Sequence, residues 1–449
     1  MTTHRFFPRF FGGVEAYTLR LAHALQQRGH TVHILTGEPI DKPDLSIEIK
    51  NELFQGIPLI RLEYDFLRRP VAYRAAYHDP AVTAQIKSIL YEVQPDVVHA
   101  TSLSLLMGGT IEAAKSLKLP FIYTATDFVL TCRRGTYIKY DNSICTEKEE
   151  VALCTECMRP HTTLEIQLER AYRLLPETLA GGVLPVLENF IGKRADFVHA
   201  ATSIKHRFRY LPYWREQIDH VIAPSSYIRD RLLLNNFPVE RITVSPYGIT
   251  PPPPDFKKIP SSKIRFGYIG RITPIKGVHL LIEAFTRLNL QDGVELTLYG
   301  KADVNAELYI QKLKQKVEGA ANIKFAGFVD NAKISDLYQK IDVLVVPSIW
   351  PENSPITILE AQAHGIPVIA SDVGGITDLV NHESNGLLFA NQNVDDLIRQ
   401  IKRCVSSPEF VSKLATRSQL IKSIDTDAKK LVSLYENLCT HPNSNILDK

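Results

Sequence analysis

The sequence predicts an α/β protein with two doubly wound parallel-sheet domains that face each other across a cleft. Apolar, β-branched runs alternate with helical patterns along the chain, four consecutive prolines interrupt the alternation at residues 251–254, and the alternation then starts again. Because strands that alternate with helices form parallel sheets, the pattern indicates two such sheets. Ligands of these sheets bind beyond the carboxyl ends of the strands, so the cleft is the expected site.

Composition limits the possible classes. The chain has 449 residues, and at ~150 residues per domain this length predicts two or three domains. A net charge of +3 is too small to indicate a nucleic-acid partner. No apolar run approaches the ~18 residues of a membrane span, and no leader is recognisable. With six cysteines in so long a chain, we expect a reducing, cytoplasmic location, with possible attachment at the inner face of the membrane.

The elements of the first half follow in order. "RFFPRFFGGVEAYTLRLAHALQQRGHTVHILTG" predicts a glycine loop, a helix that ends at Gly29 and a strand. "PDVVHA", "PFIYTA", "DFVHA" and "HVIAPS" predict buried strands, and "SSYIRDRLLLNN" predicts a helix. Only "MTTHRFF" precedes the glycine loop, so we expect an unusually short first strand. In "IKHRFRYLPYW", basic and aromatic residues predict either an ordinary basic helix or a membrane-surface contact.

The second half repeats the alternation after a proline-rich linker. "KIRFGYIG", "VELTLYG", "IKFAGFV", "DVLVVPS" and "PVIAS" predict strands, with helices between them at "GVHLLIEAFTRL", "SDLYQK" and "TILEAQAHG". We therefore place an N-terminal domain at 1–250 with a cysteine-containing insertion at 131–160, and a C-terminal domain at 251–425. A last helix at 426–449 is expected to return to the first domain.

Two cations lie where the first strand of the second domain ends. In "YIGRITPIKG" the strand ends at Gly270, Arg271 and Lys276 follow, and a helix begins near Gly277. Cations beside a helix N-terminus favour a diphosphate, because their charges and the helix dipole both stabilise negative charge. The alternative is an ordinary pair of exposed basic loop residues.

The stretch "VPSIWPENSPITILEAQAHG" predicts a second anion site. A helix is expected to begin near Pro355 or Ile356, so that Asn353, Ser354 and the first free amide groups face an anion.

Two glutamates flank that helix start. Glu352 lies in the loop and Glu360 lies a turn or more inside the helix, so the pair can accept hydrogen bonds from hydroxyls of two separate rings. The alternatives are a surface glutamate at position 360 and a helix-dipole partner at position 352.

Five segments carry a family resemblance: "FFPRFFGGVE", "GRITPIKG", "FAGFV", "VPSIWPENSPITILEAQAHGIPVIASDVGGITDLV" and "NGLLF". With these segments the chain resembles the retaining glycosyltransferases of family 4, the glycosyl transferases group 1 with the GT-B fold. The resemblance covers nearly the whole chain. It implies transfer of a sugar from a nucleotide diphosphate donor, UDP-glucose by family frequency, to a glycan or lipid-linked glycan in polysaccharide biosynthesis. It also implies same-face attack, in which the leaving phosphate oxygen helps to deprotonate the acceptor.

The resemblance implies roles for matching residues. Arg271 and Lys276 would hold the diphosphate beyond Gly270, Glu352 would bind the donor sugar, and Glu360 would bind the ribose. The segment of Asn353, Ser354, Pro355 and Ile356 would cradle the phosphates. Gly12 and Gly13 would admit the N-terminal loop, and Phe328 and Val329 would flank the base. No metal is implied for the transfer, and no Asp-x-Asp motif is present in the cleft segments.

The chain departs from the family at two positions. Thr126 precedes Asp127 where many relatives have histidine, so Asp127 inherits a catalytic role without its usual neighbour. Tyr247 replaces a frequent asparagine. His99 either lines the acceptor side or is a core histidine. The open alternatives for function are a non-catalytic or hydrolytic sugar-nucleotide-binding relative, and a glucan synthase or phosphorylase on the same fold.

Four cysteines cluster in the insertion, at Cys132, Cys145, Cys154 and Cys157. Four thiolates in one short segment are the composition of a structural zinc site. Free thiols, disulfides and an iron-sulfur cluster are the alternatives. Cys404 and Cys439 are expected to be unpaired.

Overall fold

The computed structural model describes residues 1–69, 78–158, 196–288, 293–301, 306–329, 333–416 and 421–440. Residues 159 and 160 of the predicted insertion and residues 441–449 of the predicted last helix lie outside the described residues.

The first domain is built on an eight-stranded sheet. Its strands are β1 (Thr2–Thr3), β2 (Ile34–Pro39), β3 (Glu48–Phe54), β4 (Ile57–Tyr64), β5 (Val98–Ala100), β6 (Phe121–Thr124), β7 (His220–Ala223) and β8 (Ile242–Val244). Their order is β3-β4-β2-β1-β5-β6-β7-β8, and every neighbouring pair is parallel except β3 and β4. As expected, the first strand is short, and it lies in the middle of the sheet.

The described helices of this domain are α1 (Gly13–Gln27), α2 (Pro80–Val93), α3 (Met107–Ser116), α4 (Val151–Cys157), α5 (Asp196–Gln217) and α6 (Ser226–Leu234). Helix α1 buries Leu21, Ala22 and Leu25, which recur at helical spacing on one face. Gly29 follows the helix with a positive φ of 88°, which glycine adopts without strain.

The second domain is built on a six-stranded, fully parallel sheet. Its strands are β9 (Ile264–Ile269), β10 (Val294–Tyr299), β11 (Ile323–Gly327), β12 (Val343–Val346), β13 (Val368–Asp372) and β14 (Gly386–Ala390), in the order β11-β10-β9-β12-β13-β14. Its described helices are α7 (Val278–Leu288), α8 (Glu307–Lys316), α9 (Ile334–Tyr338), α10 (Ile356–Ala363), α11 (Ile376–Leu379), α12 (Val394–Ser406) and α13 (Pro408–Thr416).

The predicted fold class, two doubly wound parallel-sheet domains, is confirmed. One predicted strand is wrong, because "DFVHA" opens the long helix α5 instead. A hairpin was also missed: β3 and β4 pair antiparallel around Gln55 and Gly56, whose φ angles of 50° and 80° both lie in the left-handed region. Such a two-residue turn matches the twist of a hairpin.

The basic and aromatic segment of α5 is a helix that packs inward. Trp214 is fully buried and Leu211 nearly so. Arg207 is buried as well, and its guanidinium donates to both carboxylate oxygens of Glu149, at 2.9 and 2.8 Å. These three side chains point into the domain, whereas Arg209 and Tyr213 of the same segment are exposed. Within the described ranges, the helices include none with the length and apolar character needed to cross a bilayer.

The last helix, α14 (Ile424–Thr440), packs against α1 of the first domain. Asp427, near its start, is buried and accepts hydrogen bonds from the Tyr17 hydroxyl at 3.0 Å, the Gly248 amide at 2.9 Å and Lys422 Nζ at 2.5 Å. One carboxylate therefore joins α14, the end of the first domain at Gly248, and α1.

We expect Asp427→Ala to lower the free energy of unfolding by about 3 kcal/mol, because it leaves buried donors and a half-buried cation without their acceptor. Asp425→Ala is the matched control, since Asp425 is mostly exposed and pairs with Arg28; its cost should stay below about 1 kcal/mol. Chemical denaturation followed by circular dichroism measures both. Equal effects in the two variants would show that Asp427 does not anchor the helix.

Candidate functional site

The candidate site lies at the carboxyl edge of the second sheet, where two loops meet. The β9 loop (residues 270–277) carries Lys276 and the β12 loop (residues 347–355) carries Glu352. Lys276 Nζ lies 2.6 Å from Glu352 Oε1, which also accepts a 2.6 Å hydrogen bond from the Ser348 hydroxyl. Lys276 Nζ lies 5.0 Å from the centre of the Trp350 ring, within cation–π range. The sequence-predicted cation and carboxylate are therefore brought together.

Backbone packing fixes the two loops against each other. The Ile349 amide donates to the Ile275 carbonyl at 2.9 Å. Gly277 has a φ of 70°, and a Cβ at this position would lie 1.8 Å from the Pro347 carbonyl oxygen. Only glycine therefore fits between the β9 loop and the β12 loop.

A helix N-terminus points into the same region. Helix α10 begins at Ile356, as predicted, with Pro355 as its N-cap, and within the described part of the chain no side chain caps it. Its first amides are therefore available to an anion. Three nearby buried oxygens, Asn353 Oδ1, Ser354 Oγ and Thr273 Oγ1, have no hydrogen-bond partner among the described residues. Buried polar atoms are nearly always partnered in a folded protein, so these three oxygens are free to accept a polar partner beside the helix start.

Glu360 lies inside α10 and is buried, so the interpretation of it as a surface glutamate is wrong. Its Oε1 lies 2.5 Å from Arg20 Nη2 of α1, in the first domain, and its Oε2 lies 3.4 Å from the Tyr338 hydroxyl. Arg20 was not singled out from the sequence, because nothing local relates it to a carboxylate 340 positions away.

The two domains touch at the start of α10. Asn353 Nδ2 donates to the Ala125 carbonyl at 2.5 Å and lies 3.3 Å from the Tyr247 hydroxyl. A Cβ on Gly13 would lie 3.5 Å from Ile356 Cδ1, so the N-terminal glycine loop faces the helix start. Tyr247, one of the departures from the family pattern, thus lies within hydrogen-bond distance of Asn353.

Arg271 is exposed, and its carbonyl accepts a 2.6 Å hydrogen bond from the Tyr268 hydroxyl. Its charge acts on the Glu15 carboxyl of the first domain. Burial raises the pKa of the Glu15 carboxyl, while the charges of His4 and Arg271 act to lower that pKa. His4 Nε2 lies 3.1 Å from Glu15 Oε1. His4 and Glu15 were not predicted as site residues, although "GGVE" had placed Glu15 beside the glycine loop.

The other predicted positions lie around this centre. Gly270 ends β9, and its amide donates to the Tyr299 carbonyl at 3.0 Å. Gly12 precedes α1, and a Cβ there would lie 2.4 Å from Glu15 Oε2. Phe328 is 41% exposed and packs edge-on to Phe11 of the first domain, while Val329 packs against the core.

Asp127 lies on the first domain and is held by its own loop. One carboxylate oxygen accepts from the Tyr123 hydroxyl at 2.7 Å and the Val129 amide at 3.1 Å. The other accepts from the Ser102 hydroxyl at 2.7 Å and the Leu103 amide at 3.3 Å. These four bonds organise the loop after β6.

His99 is a core histidine. Its ring nitrogens lie 2.6 Å from the Tyr435 hydroxyl and 2.7 Å from the Thr124 hydroxyl. Burial lowers the pKa of His99 to about 3, so the ring is neutral near pH 7. Of the two interpretations, the core histidine is the one that the structure favours.

The four clustered cysteines line one cavity of about 200 Å³ within the insertion. No disulfide joins any of the six cysteines, all of which the structure describes. Burial raises the pKa of Cys145 to about 11 and that of Cys154 to about 12, and it also raises the pKa of Cys157. Among the described residues, no three His, Cys, Asp or Glu side chains are arranged to hold a metal ion.

Two family models match the chain. Residues 11–137 match Glycosyltransferase Family 4, and residues 254–421 match Glycosyl transferases group 1. An uncharacterized glycosyltransferase of Methanocaldococcus jannaschii is 28% identical over 249 residues, which are 51% of this chain and 63% of that protein. The amylovoran biosynthesis glycosyltransferase AmsK of Erwinia amylovora is 30% identical over 179 residues, 38% of this chain and 44% of its own. The chain thus spans less than two thirds of these relatives.

Two solved structures share the fold. The Anabaena protein HepE, in complex with UDP and glucose, has a TM-score of 0.63 at 18% identity and covers 97% of this chain and 99% of its own. Sucrose-phosphate synthase from Thermosynechococcus elongatus has a TM-score of 0.63 at 21% identity, with 96% and 94% covered. At this identity the likeness shows the fold alone.

We expect Gly277→Ala to unfold the second domain at a lower denaturant concentration than the native chain, with a loss of about 3 kcal/mol, since the added Cβ meets a backbone carbonyl. Gly319→Ala is the matched control, because Gly319 also has a positive φ, 83°, but has open space around it. That variant should lose only about 1–2 kcal/mol for its backbone conformation. Urea denaturation of both proteins measures the difference, and equal losses would contradict the packing argument.

Proposed function

Because the chain belongs to the group 1 glycosyltransferases of the GT-B fold, we propose that it transfers a sugar from a nucleotide diphosphate donor to a glycan or a lipid-linked glycan, with retention at the anomeric carbon. The first donor to test is UDP-glucose. The acceptor belongs to polysaccharide biosynthesis, and the reaction takes place in the cytoplasm.

One observation carries the proposal. Lys276, the uncapped start of α10 and the unpartnered oxygens of Asn353, Ser354 and Thr273 all belong to two neighbouring loops at the mouth between the sheets. A cation, free amides and polar oxygens in one place are the donors and acceptors that a diphosphate with its attached sugar requires.

The proposed reaction breaks the bond between the anomeric carbon and the donor phosphate oxygen, and it forms a bond from the same carbon to an acceptor hydroxyl. The acceptor hydroxyl attacks from the same face from which the phosphate departs, and its proton passes to the leaving phosphate oxygen, which acts as the base. Negative charge therefore develops on the diphosphate. Arg271, Lys276 and the α10 amides stabilise that charge, so the chain's residues do this work without a metal ion.

Glu352 and Glu360 orient the two rings of the donor in this proposal. A carboxylate has about four acceptor positions, so each of these side chains can keep its present cation and still bind a hydroxyl. Glu352 keeps Lys276 and takes the donor sugar, while Glu360 keeps Arg20 and takes the ribose. Fixed ring positions lower the entropy cost of reaching the transition state.

The known proteins support the choice of substrates to test. HepE was solved with UDP and glucose, and starch synthase IV of Arabidopsis thaliana, another structure of this fold, with ADP and acarbose. AmsK is named for amylovoran biosynthesis and LpsB of Rhizobium meliloti for lipopolysaccharide core biosynthesis. The bound UDP and ADP support a nucleotide diphosphate sugar as the donor to test, and the named polysaccharides support a glycan as the acceptor to test.

We expect Lys276→Ala to abolish the rise in melting temperature that UDP causes in the native chain, and to lower kcat/KM at least ~100-fold, because one charge-stabilising donor is lost. Arg271→Ala should act in the same direction. The measurements are thermal unfolding with UDP and the release of nucleotide from a panel of nucleotide sugars. Lys402→Ala, exposed on α12, is the control and should match the native chain.

Two results would contradict the proposal. If no nucleotide diphosphate shifts the melting temperature of the native chain, the chain does not bind the donor. If UDP binds but no acceptor extract yields a glycosylated product, the chain does not transfer the sugar. Release of free sugar would then indicate the hydrolytic alternative, and no release would indicate the non-catalytic alternative. Release of a sugar phosphate in the presence of inorganic phosphate would identify a phosphorylase.

We expect Glu352→Gln to retain UDP binding within about threefold and to lose at least ~100-fold in kcat, since the change affects a contact to the sugar rather than to the nucleotide. The variant keeps the shape of the side chain and removes its charge. Isothermal titration measures UDP binding, and turnover is measured with the donor that the native chain uses. Both measurements are made on the same preparation of each protein. Normal turnover would show that Glu352 does not contact the reacting sugar.

A further inference from the structure

The insertion between β6 and α5 encloses a cavity that the proposed reaction does not use. We call its described part, residues 131–158, the cysteine segment. The cavity has a volume of about 200 Å³, and its lining includes Cys132, Cys145, Cys154 and Cys157. Four of the chain's six cysteines thus face one small space. Such convergence requires an explanation beyond packing, because free cysteine is otherwise a rare residue in this chain.

Three local structures deliver the four thiols to the cavity. Cys132 lies in a turn, where its carbonyl accepts the Gly135 amide at 3.0 Å. Cys145 follows a short hairpin, and its amide donates to the Tyr137 carbonyl at 2.7 Å. Cys154 and Cys157 are three residues apart on the short helix α4.

The cysteine segment is attached firmly to the first domain. The Glu149 carboxylate pairs bidentately with Arg207 of α5, and both side chains are buried. The Glu149 amide donates to Asn235 Oδ1 at 3.1 Å. The segment is therefore held at one end by α5 and α6, while the part that bears the thiols surrounds open space.

We propose that Cys132, Cys145, Cys154 and Cys157 bind one Zn²⁺ ion. Four thiolates at the corners of a tetrahedron form a closed structural zinc site, with no position left for a water molecule or a substrate. The four thiols line the same cavity without yet surrounding a common point, so ion binding draws the turn, the hairpin and α4 together. Each bound thiol releases its proton, and the binding energy becomes folding energy of the segment.

The cysteine segment lies next to the candidate site, so a bound ion would affect that site. This consequence rests on the proposed function. The Cys132 amide donates to the Phe128 carbonyl at 2.7 Å, and the Phe128 ring packs edge-on against Trp350, 6.0 Å away in the second domain. Trp350 in turn lies against Lys276. The ion would therefore fix the part of the first domain that packs against Trp350 at the candidate site.

The test uses the full-length native chain. Protein purified in reductant without chelator should contain about one zinc per chain by elemental analysis. After removal of the metal with a chelator, added Zn²⁺ should raise the melting temperature again. Alkylation with iodoacetamide, read by peptide mass spectrometry, should slow by at least ~10-fold at the four cavity thiols when zinc is added. Exposed Cys439 is the internal control, and its labelling should be unchanged.

Single substitutions complete the experiment. Cys132→Ser, Cys145→Ser, Cys154→Ser and Cys157→Ser should each lose the zinc and its thermal shift, whereas Cys439→Ser should keep both. If a variant does not fold, the protection experiment on the native chain still decides. Native chain that folds without zinc and shows no protection would overturn the proposal, as would a disulfide between cavity cysteines in reductant or iron in place of zinc. UDP binding is measured in parallel, so that a failed zinc site and a failed donor site are distinguished.

Discussion

The ion pair between Lys276 and Glu352 is the interaction on which the candidate site depends. It joins the loop after β9 to the loop after β12, and both groups are largely withdrawn from water. A charge in such a place is stable only with its partner, because the loss of solvation costs several kcal/mol per ion. The Ser348 hydroxyl supplies a further hydrogen bond to the carboxylate. The two loops therefore hold one arrangement, with the start of α10 beside it.

The parallel topology explains why these loops meet. Strands β9 and β12 are neighbours in the sheet although their paired residues, Phe266 with Val343 and Gly267 with Leu344, lie 77 positions apart in the sequence, and their carboxyl ends share one edge. Where the strand order reverses, adjacent loops diverge and leave a crevice. The first domain closes this crevice through Asn353 and Ala125. Electrostatic groups and polar donors thus converge from segments that are remote in sequence.

Much of the fold was predictable because its signals are local. The strand before Gly270, the helix start at Ile356 and the break at residues 251–254 follow from apolar runs, proline and glycine. "DFVHA" was misassigned because a short apolar run fits a strand or a buried helix segment equally well. The hairpin at Gln55 was missed because its turn has glutamine where asparagine or aspartate usually gives the signal.

The site was predictable in part. Sequence spacing identified Lys276, Glu352 and the α10 start, since each lies beside a strand end or a helix end. It gave no indication of Arg20, His4 or Trp350, because their partners are fixed by tertiary packing. The environment of His99 is likewise set by Tyr435, 336 positions away, which no local pattern reveals.

The pairing of Arg20 with Glu360 links the donor position to the contact between the domains. This bond crosses between the domains, and in the proposed complex the ribose hydroxyls share the same carboxylate. A bound nucleotide would then be held by both lobes, directly through Glu360 and indirectly through Arg20. A change at Arg20 would therefore weaken donor binding although Arg20 itself makes no contact with the donor.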